Sequence, residues 1–299
     1  MPWSRSTLSR APLTACLLLA LGACGEPPAP AGATEMPAPA LDASTPRAAE
    51  VPGGAAPPPT GLDGAAVRAF LVRQYGDLAQ LSGDWPGAPL VEWLGHETAL
   101  REVCAREAVG TPDAPAELLA VCGVPDDAGH ATTARLDFFR LQADAGADVV
   151  NATARAHMEG FGSTGDIADL DVRRLGPRLY GFVVEDGFTA QGITITNTSL
   201  VLPDGDGFKV AGSLRSSLDN LGAMAGCAER DDCAQDAAYD LTFDLALDAR
   251  DADAVAWPLR VRERGDACGR RVERTHLVPF DVARHAWTVP EALQRDGCD

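Results

Sequence analysis

From Ala131 to the C-terminus apolar and polar residues alternate in a run of short segments, and this period of two constrains the fold more than any other feature. Leu136 and Phe138 alternate with Arg135 and Asp137. Leu179, Phe182 and Val184 lie in "RLYGFVVEDG", and Ile193, Ile195, Leu200 and Leu202 lie in "GITITNTSLVL". "YDLTFDLAL", "WPLRVRER", "RRVERTHLV" and "RHAWTV" continue the pattern. Successive side chains of a strand point to opposite faces, so each segment can lay one apolar face on a core. Turn signals fall between them: "DG" at 186–187, "PDGDG" at 203–207 and "GDACG" at 265–269. Strands joined by tight turns, with no long helix between them, predict an antiparallel sheet folded as a sandwich or a curled sheet. "FRLQADAGADVV" and "FDLALDARDADAV" look alike, and each predicts a strand, an acidic turn and a second strand.

Upstream the spacing is helical. Val67, Phe70, Leu71, Leu78 and Leu81 recur at three- and four-residue steps and predict a helix over 63–81, capped by Asp63. A second helix is expected over 98–109, with Leu100, Val103 and Cys104 inward. A third is expected over 113–121, stopped by Cys122-Gly123 and Pro125. The expected class is therefore α+β, with a helical region at 61–125 before an antiparallel β-rich domain at 126–299.

The first sixty residues are of another kind. Arg5 and Arg10 give a positive start, and residues 11–23 are almost wholly apolar or small. That run is shorter than the roughly 20 residues a spanning helix needs, so it reads as a secretory signal. Leu21-Gly22-Ala23-Cys24 resembles the lipobox of bacterial lipoproteins. The resemblance implies cleavage after residue 23, acylation of Cys24 and anchoring in a bilayer. Gly25 stands where an inner-membrane retention aspartate would, which implies the periplasmic face of the outer membrane. Arginine and alanine are abundant and Lys209 is the sole lysine, a bias of high-GC bacterial genomes. Residues 25–60 hold ten prolines and ten alanines in 36 positions, too little apolar surface to offset chain entropy. They are expected to form a disordered spacer reaching on the order of 100 Å when extended.

Beyond Cys16 and Cys24 the chain carries Cys104, Cys122, Cys227, Cys233, Cys268 and Cys298. An even set in an oxidising compartment favours disulfides, and neighbouring positions suggest 104–122, 227–233 and 268–298. No C-x-x-C occurs, which argues against a zinc ribbon and a thioredoxin-like site.

The formal charge is −18, and loss of Arg5 and Arg10 with the signal would take it to −20. Such a field repels nucleic acid and favours cationic partners or divalent ions.

Motifs that would carry chemistry are thin. Gly160-Phe161-Gly162-Ser163-Thr164-Gly165 matches G-x-G-x-x-G, but "DIADLDVRR" follows where a nucleotide site needs a helix. A glycine-rich hairpin loop is expected there, with no nucleotide or other cofactor. Ser163 lacks the first glycine of a nucleophile elbow. A calcium loop started at Asp204 would have Phe208 and Arg215 at ligand positions, so Asp204-Gly205-Asp206-Gly207 reads as a turn. Asp166, Asp169 and Asp171, and likewise Asp248, Asp251 and Asp253, could hold calcium irregularly, though solvated loop acids are the plainer reading. The histidines at 96, 130, 157, 276 and 285 show no metal-ligand spacing, although His276 and His285 fall in expected neighbouring strands. Trp85, Trp93, Trp257 and Trp287 are spread widely and read as core.

The functional expectation is a lipid-anchored, non-catalytic binding or inhibitory domain of the immunity type, with a cationic protein as partner. Asp248, Asp251 and Asp253 are its candidate contact residues and Cys24 its lipidation site. A cell-wall or glycan hydrolase using carboxylates, and an envelope-assembly component, are the alternatives.

Overall fold

Asp63 begins the first element of the computed structural model, which describes residues 58–87, 99–125, 128–129, 132–144, 149–163, 168–225 and 237–298. The signal, the lipobox with Cys24, the spacer to residue 57, His96, His130, Trp93, Asp166, and Cys227 with Cys233 lie outside those residues. The Asp63 carboxylate accepts the Ala65 and Ala66 amides at 2.9 and 3.1 Å and caps helix α1, Gly64–Tyr75. Gly76, at a φ of 92° that glycine tolerates, returns its N–H to the Val72 carbonyl and ends the helix short of the expected Leu81.

The helices expected over 98–109 and 113–121 are strands instead. β1 (Trp85–Gly87), β2 (Ala99–Ala108), β3 (Ala116–Pro125), β4 (Ala134–Ala143) and β5 (Val150–Phe161) form one antiparallel sheet in that order. In β3, Leu118, Ala120 and Cys122 enter one core while Leu119 and Val121 enter another. A strand buried on both faces is a continuous apolar run, which periodicity alone does not separate from a helix.

The second sheet runs β12 (Arg270–Val278), β11 (Leu259–Ala267), β10 (Tyr239–Leu247), β9 (Gly207–Asp219), β8 (Ile193–Asp204), β7 (Tyr180–Ala190), β6 (Asp169–Arg174). Each neighbouring pair is antiparallel. A small hairpin, β13 (Phe280–Asp281) with β14 (Ala286–Trp287), follows. Asp186-Gly187, expected as a turn, lies inside β7, and the chain reverses instead at Gln191-Gly192, both at positive φ. "FDLALDARDADAV" yields one strand, β10, and then a loop to Leu259 rather than a second strand.

Three cores stack these layers. Helix α1 lays Val67, Phe70 and Leu71 on Leu119, Val121, Phe139 and Leu141 of the first sheet. The other face of that sheet presents Leu118, Leu136 and Phe138 to Phe182, Val184 and Val201 of the second, with Phe138 and Phe182 ring centroids 4.6 Å apart. Beyond the second sheet, Leu200, Leu214, Leu241, Phe243 and Val261 pack with Trp287 and Leu293. Among the described residues the expected disulfides Cys104–Cys122 and Cys268–Cys298 are both present, each with Cα atoms 5.8 Å apart.

The entry of the chain into the fold is fastened. Thr60 N–H donates to the Gly110 carbonyl and the Thr60 carbonyl accepts from Ala116, at 3.1 and 3.2 Å. Leu62 N–H donates to Glu117 Oε1 at 2.8 Å, and Arg106 Nε holds the same buried carboxylate at 2.7 Å.

Candidate functional site

The crossover from the first sheet to the second leaves β5 at Phe161 and re-enters as β6 at Asp169. Gly160 and Phe161 therefore end β5, Gly162 and Ser163 open an inter-sheet connection and not a hairpin loop, and β6, not a helix, follows. Ser163 Oγ donates to the Gly187 carbonyl at 2.7 Å, drawing this connection against β7. Between them lies a cavity of about 290 Å³, lined among others by Ser163, Asp169, Glu185, Asp186 and Thr196.

Asp169 and Glu185 are directly opposite in the β6–β7 ladder, where like charges repel. Among the described residues no arginine, lysine or histidine forms an ion pair with Asp169, Glu185 or Asp186. Burial raises the Asp186 carboxyl above its ordinary pKa, and the neighbouring Glu185 charge adds to the shift. Asp186 and Asn197 are cross-strand partners, as are Gly187 and Thr196, so β8 supplies the hydroxyl at the rim. Asp169 and Glu185 share one face of the β6–β7 ladder while Asp186, the next residue along, takes the other, so two opposed carboxylates at the rim of this concavity can receive an ammonium or guanidinium group.

The acids singled out in the sequence are placed differently. Asp248 accepts from Arg250 and from Arg260, the latter at 3.2 Å, and these partners hold its carboxyl down to about 2. Asp251 Oδ1 accepts the Asp253 amide at 2.9 Å and its carbonyl accepts Trp257 Nε1 at 3.0 Å, so this stretch is an ordered turn. Asp204 pairs with Lys209 at 3.2 Å and with His285 at 3.4 Å, and Lys209 with His285 lowers its pKa. Asp171 pairs with Arg173 at 3.1 Å.

The three described histidines, His157, His276 and His285, are not brought together. His276 Nε2 meets Glu263 Oε2 at 2.8 Å within the second sheet, while His285 sits in the β13–β14 turn. His157 Nδ1 meets Asp137 Oδ1 at 2.5 Å, and Asp137 also accepts Tyr75 Oη at 2.6 Å and Arg135 Nε at 3.1 Å. Trp85 and Trp287 are core residues. Among the described residues no group of three or more His, Cys, Asp or Glu is placed to hold a metal ion, and no helix is long and apolar enough to cross a membrane.

Sequence reasoning missed Glu185 and Asp186, because "EDG" carries the composition of a turn. It also missed Glu263, whose signal was visible: a charged residue at an inward position between Val261 and Ala267. No protein-family model, no curated protein and no solved structure matches this chain.

Proposed function

We propose that this chain is an envelope lipoprotein, held by acylated Cys24 at the periplasmic face of the outer membrane, whose folded unit captures a cationic protein without transforming it. The observation that carries the reading is the Asp169–Glu185 opposition beside Asp186. A like-charge pair across a ladder costs stability, and a cation from a partner relieves that cost. Asp204 and Asp248, in the other acidic turns, already have cationic neighbours within the fold.

The test is capture of envelope and secreted proteins of the same cell by the full-length protein, followed by kinetics on whatever is retained. Retained proteins are expected to be basic, with association slowing steeply as salt rises and dissociation changing little. Asp169→Asn combined with Glu185→Gln should slow association by about tenfold while melting no lower than wild type. Neutral or acidic partners, or unchanged kinetics in the double variant, would overturn the reading.

A second reading, glycan hydrolysis, is favoured by one observation. Burial, with the Glu185 charge adding to it, raises the Asp186 carboxyl, which is the direction a general acid needs. Turnover of purified peptidoglycan that is abolished by Asp186→Asn would replace capture with catalysis.

A further inference from the structure

The last residues of the chain form a strap over the second sheet. Leu293 is fully buried and anchors the near end. Beyond it the holdfasts are polar or covalent, apart from the packing of Cys298 on the same core. Gln294 Nε2 donates to the Ser213 carbonyl at 3.0 Å, and Arg215 donates to the Arg295 carbonyl at 3.1 Å and pairs with Asp296. Arg295 reaches inward, its terminal nitrogen 2.5 Å from Glu263 Oε1 and its guanidinium 6.0 Å from the Phe243 ring centroid. Cys298 then closes on Cys268.

The inward reach is costly. Glu263 is fully buried, and a buried ion pair gives up so much hydration that its net contribution can vanish. Arg295 Nε is buried with no hydrogen-bond partner, which adds an unrecovered desolvation cost. On release the guanidinium regains water, while Glu263 keeps His276 as a partner. The closed strap therefore leans on its covalent bond.

The two described disulfides differ in access. Cys122 is fully buried between the sheets and leaves only the half-buried Cys104 sulfur open to attack, whereas both sulfurs of Cys268–Cys298 belong to half-buried residues. Cys268 stands at the tip of the β11–β12 turn at a φ of 51°, and neither it nor Cys298 is buried. Thiol–disulfide exchange requires a thiolate to reach a sulfur. We propose that residues 294–298 are a redox-releasable strap: a dithiol opens Cys268–Cys298 ahead of Cys104–Cys122, and the freed segment lifts Arg295 away from Glu263. In the exchange, one thiolate of the dithiol attacks a cystine sulfur, giving a mixed disulfide and one free cysteine thiolate. The second thiol displaces the other cysteine and closes the reagent's own disulfide. Two electrons pass to the cystine, and two protons end on Cys268 and Cys298.

The experiment is a dithiothreitol titration of the native full-length protein, with alkylation mapped by peptide mass and amide hydrogen exchange followed in parallel. Cys268 and Cys298 should both alkylate at a reductant level that leaves Cys104 and Cys122 unmodified, with Cys227 and Cys233 read separately. At that level exchange across 294–298 should rise by about tenfold or more, while β7 and β8 keep their protection. Cys298→Ser should show the same local exchange without reductant. Simultaneous or earlier modification of Cys104 and Cys122 would overturn the proposal. So would a strap that stays protected once Cys268 and Cys298 are reduced.

Discussion

Asp137 gathers three donors on one buried carboxylate: the Tyr75 hydroxyl, His157 and Arg135. Arg101 completes the group from beside, its guanidinium 5.5 Å from the Tyr75 ring centroid. The tyrosine joins the C-terminal end of α1 to the middle of β4, so one hydrogen bond ties helix to sheet. Burial raises the Tyr75 pKa above its ordinary value, and the Asp137 charge raises it further. The unfolded phenol ionises near pH 10, whereas the folded one keeps its proton. Its contribution is therefore whole below about pH 10 and is lost as the pH rises beyond it. Tyr75→Phe should cost about 1–2 kcal/mol at neutral pH, because Asp137 keeps two of its donors. The same variant should flatten the alkaline fall in stability by up to about 1.4 kcal/mol per pH unit. Urea unfolding from neutral pH to pH 11 measures both, and an alkaline limb identical to wild type would show that Tyr75 does not hold its proton this way.

At the scale of elements, legibility follows solvation. β10 and β11 read correctly because their outer faces are wet: Asp240, Thr242 and Asp244, then Arg260, Arg262 and Arg264, alternate with Leu241, Phe243, Leu259 and Val261. The signal fails in β2 and β3. "TALREVCAREAV" is rich in helix formers, and its apolar spacing suits a helix equally well; pairing with β3, irregular around Cys104, decides otherwise. The strand buries Arg101 and exposes Leu100 at 47 %, against expectation, while Val103 and Cys104 pack against cores as expected. Leu100→Ala should therefore change stability by less than about 0.5 kcal/mol. Leu119→Ala, which empties a fully buried position under α1, should cost about 2–5 kcal/mol. Denaturant midpoints of the two variants distinguish strand from helix, and a large loss at Leu100 would contradict the sheet. The candidate cavity was illegible for a related reason: opposition of Asp169 and Glu185 exists only once β6 and β7 are paired, and sixteen positions along the chain do not announce that pairing.

For the molecule as a whole, charge is unevenly settled. The outer face of β10–β12 neutralises itself through Arg264–Asp244, Arg262–Glu273, Arg271–Asp266 and Arg260–Asp248. Exposed pairs of this kind contribute at most about 1 kcal/mol each. The excess behind the net −18 sits elsewhere and repels itself. Raising sodium chloride from about 10 mM to about 200 mM shortens the screening length from roughly 30 Å to below 10 Å. Melting should then rise by about 2–4 °C, as expected for roughly 1 kcal/mol in a unit of this size. A fall would mean that the paired face outweighs the repulsion. The fastening at Thr60 and Leu62 gives the same body a mechanical character. A pull from the N-terminal side meets two backbone hydrogen bonds and the Glu117 carboxylate before it reaches α1. Tension is spread sideways into β2 and β3, like a rope made fast to a cleat, instead of peeling the helix from its first turn.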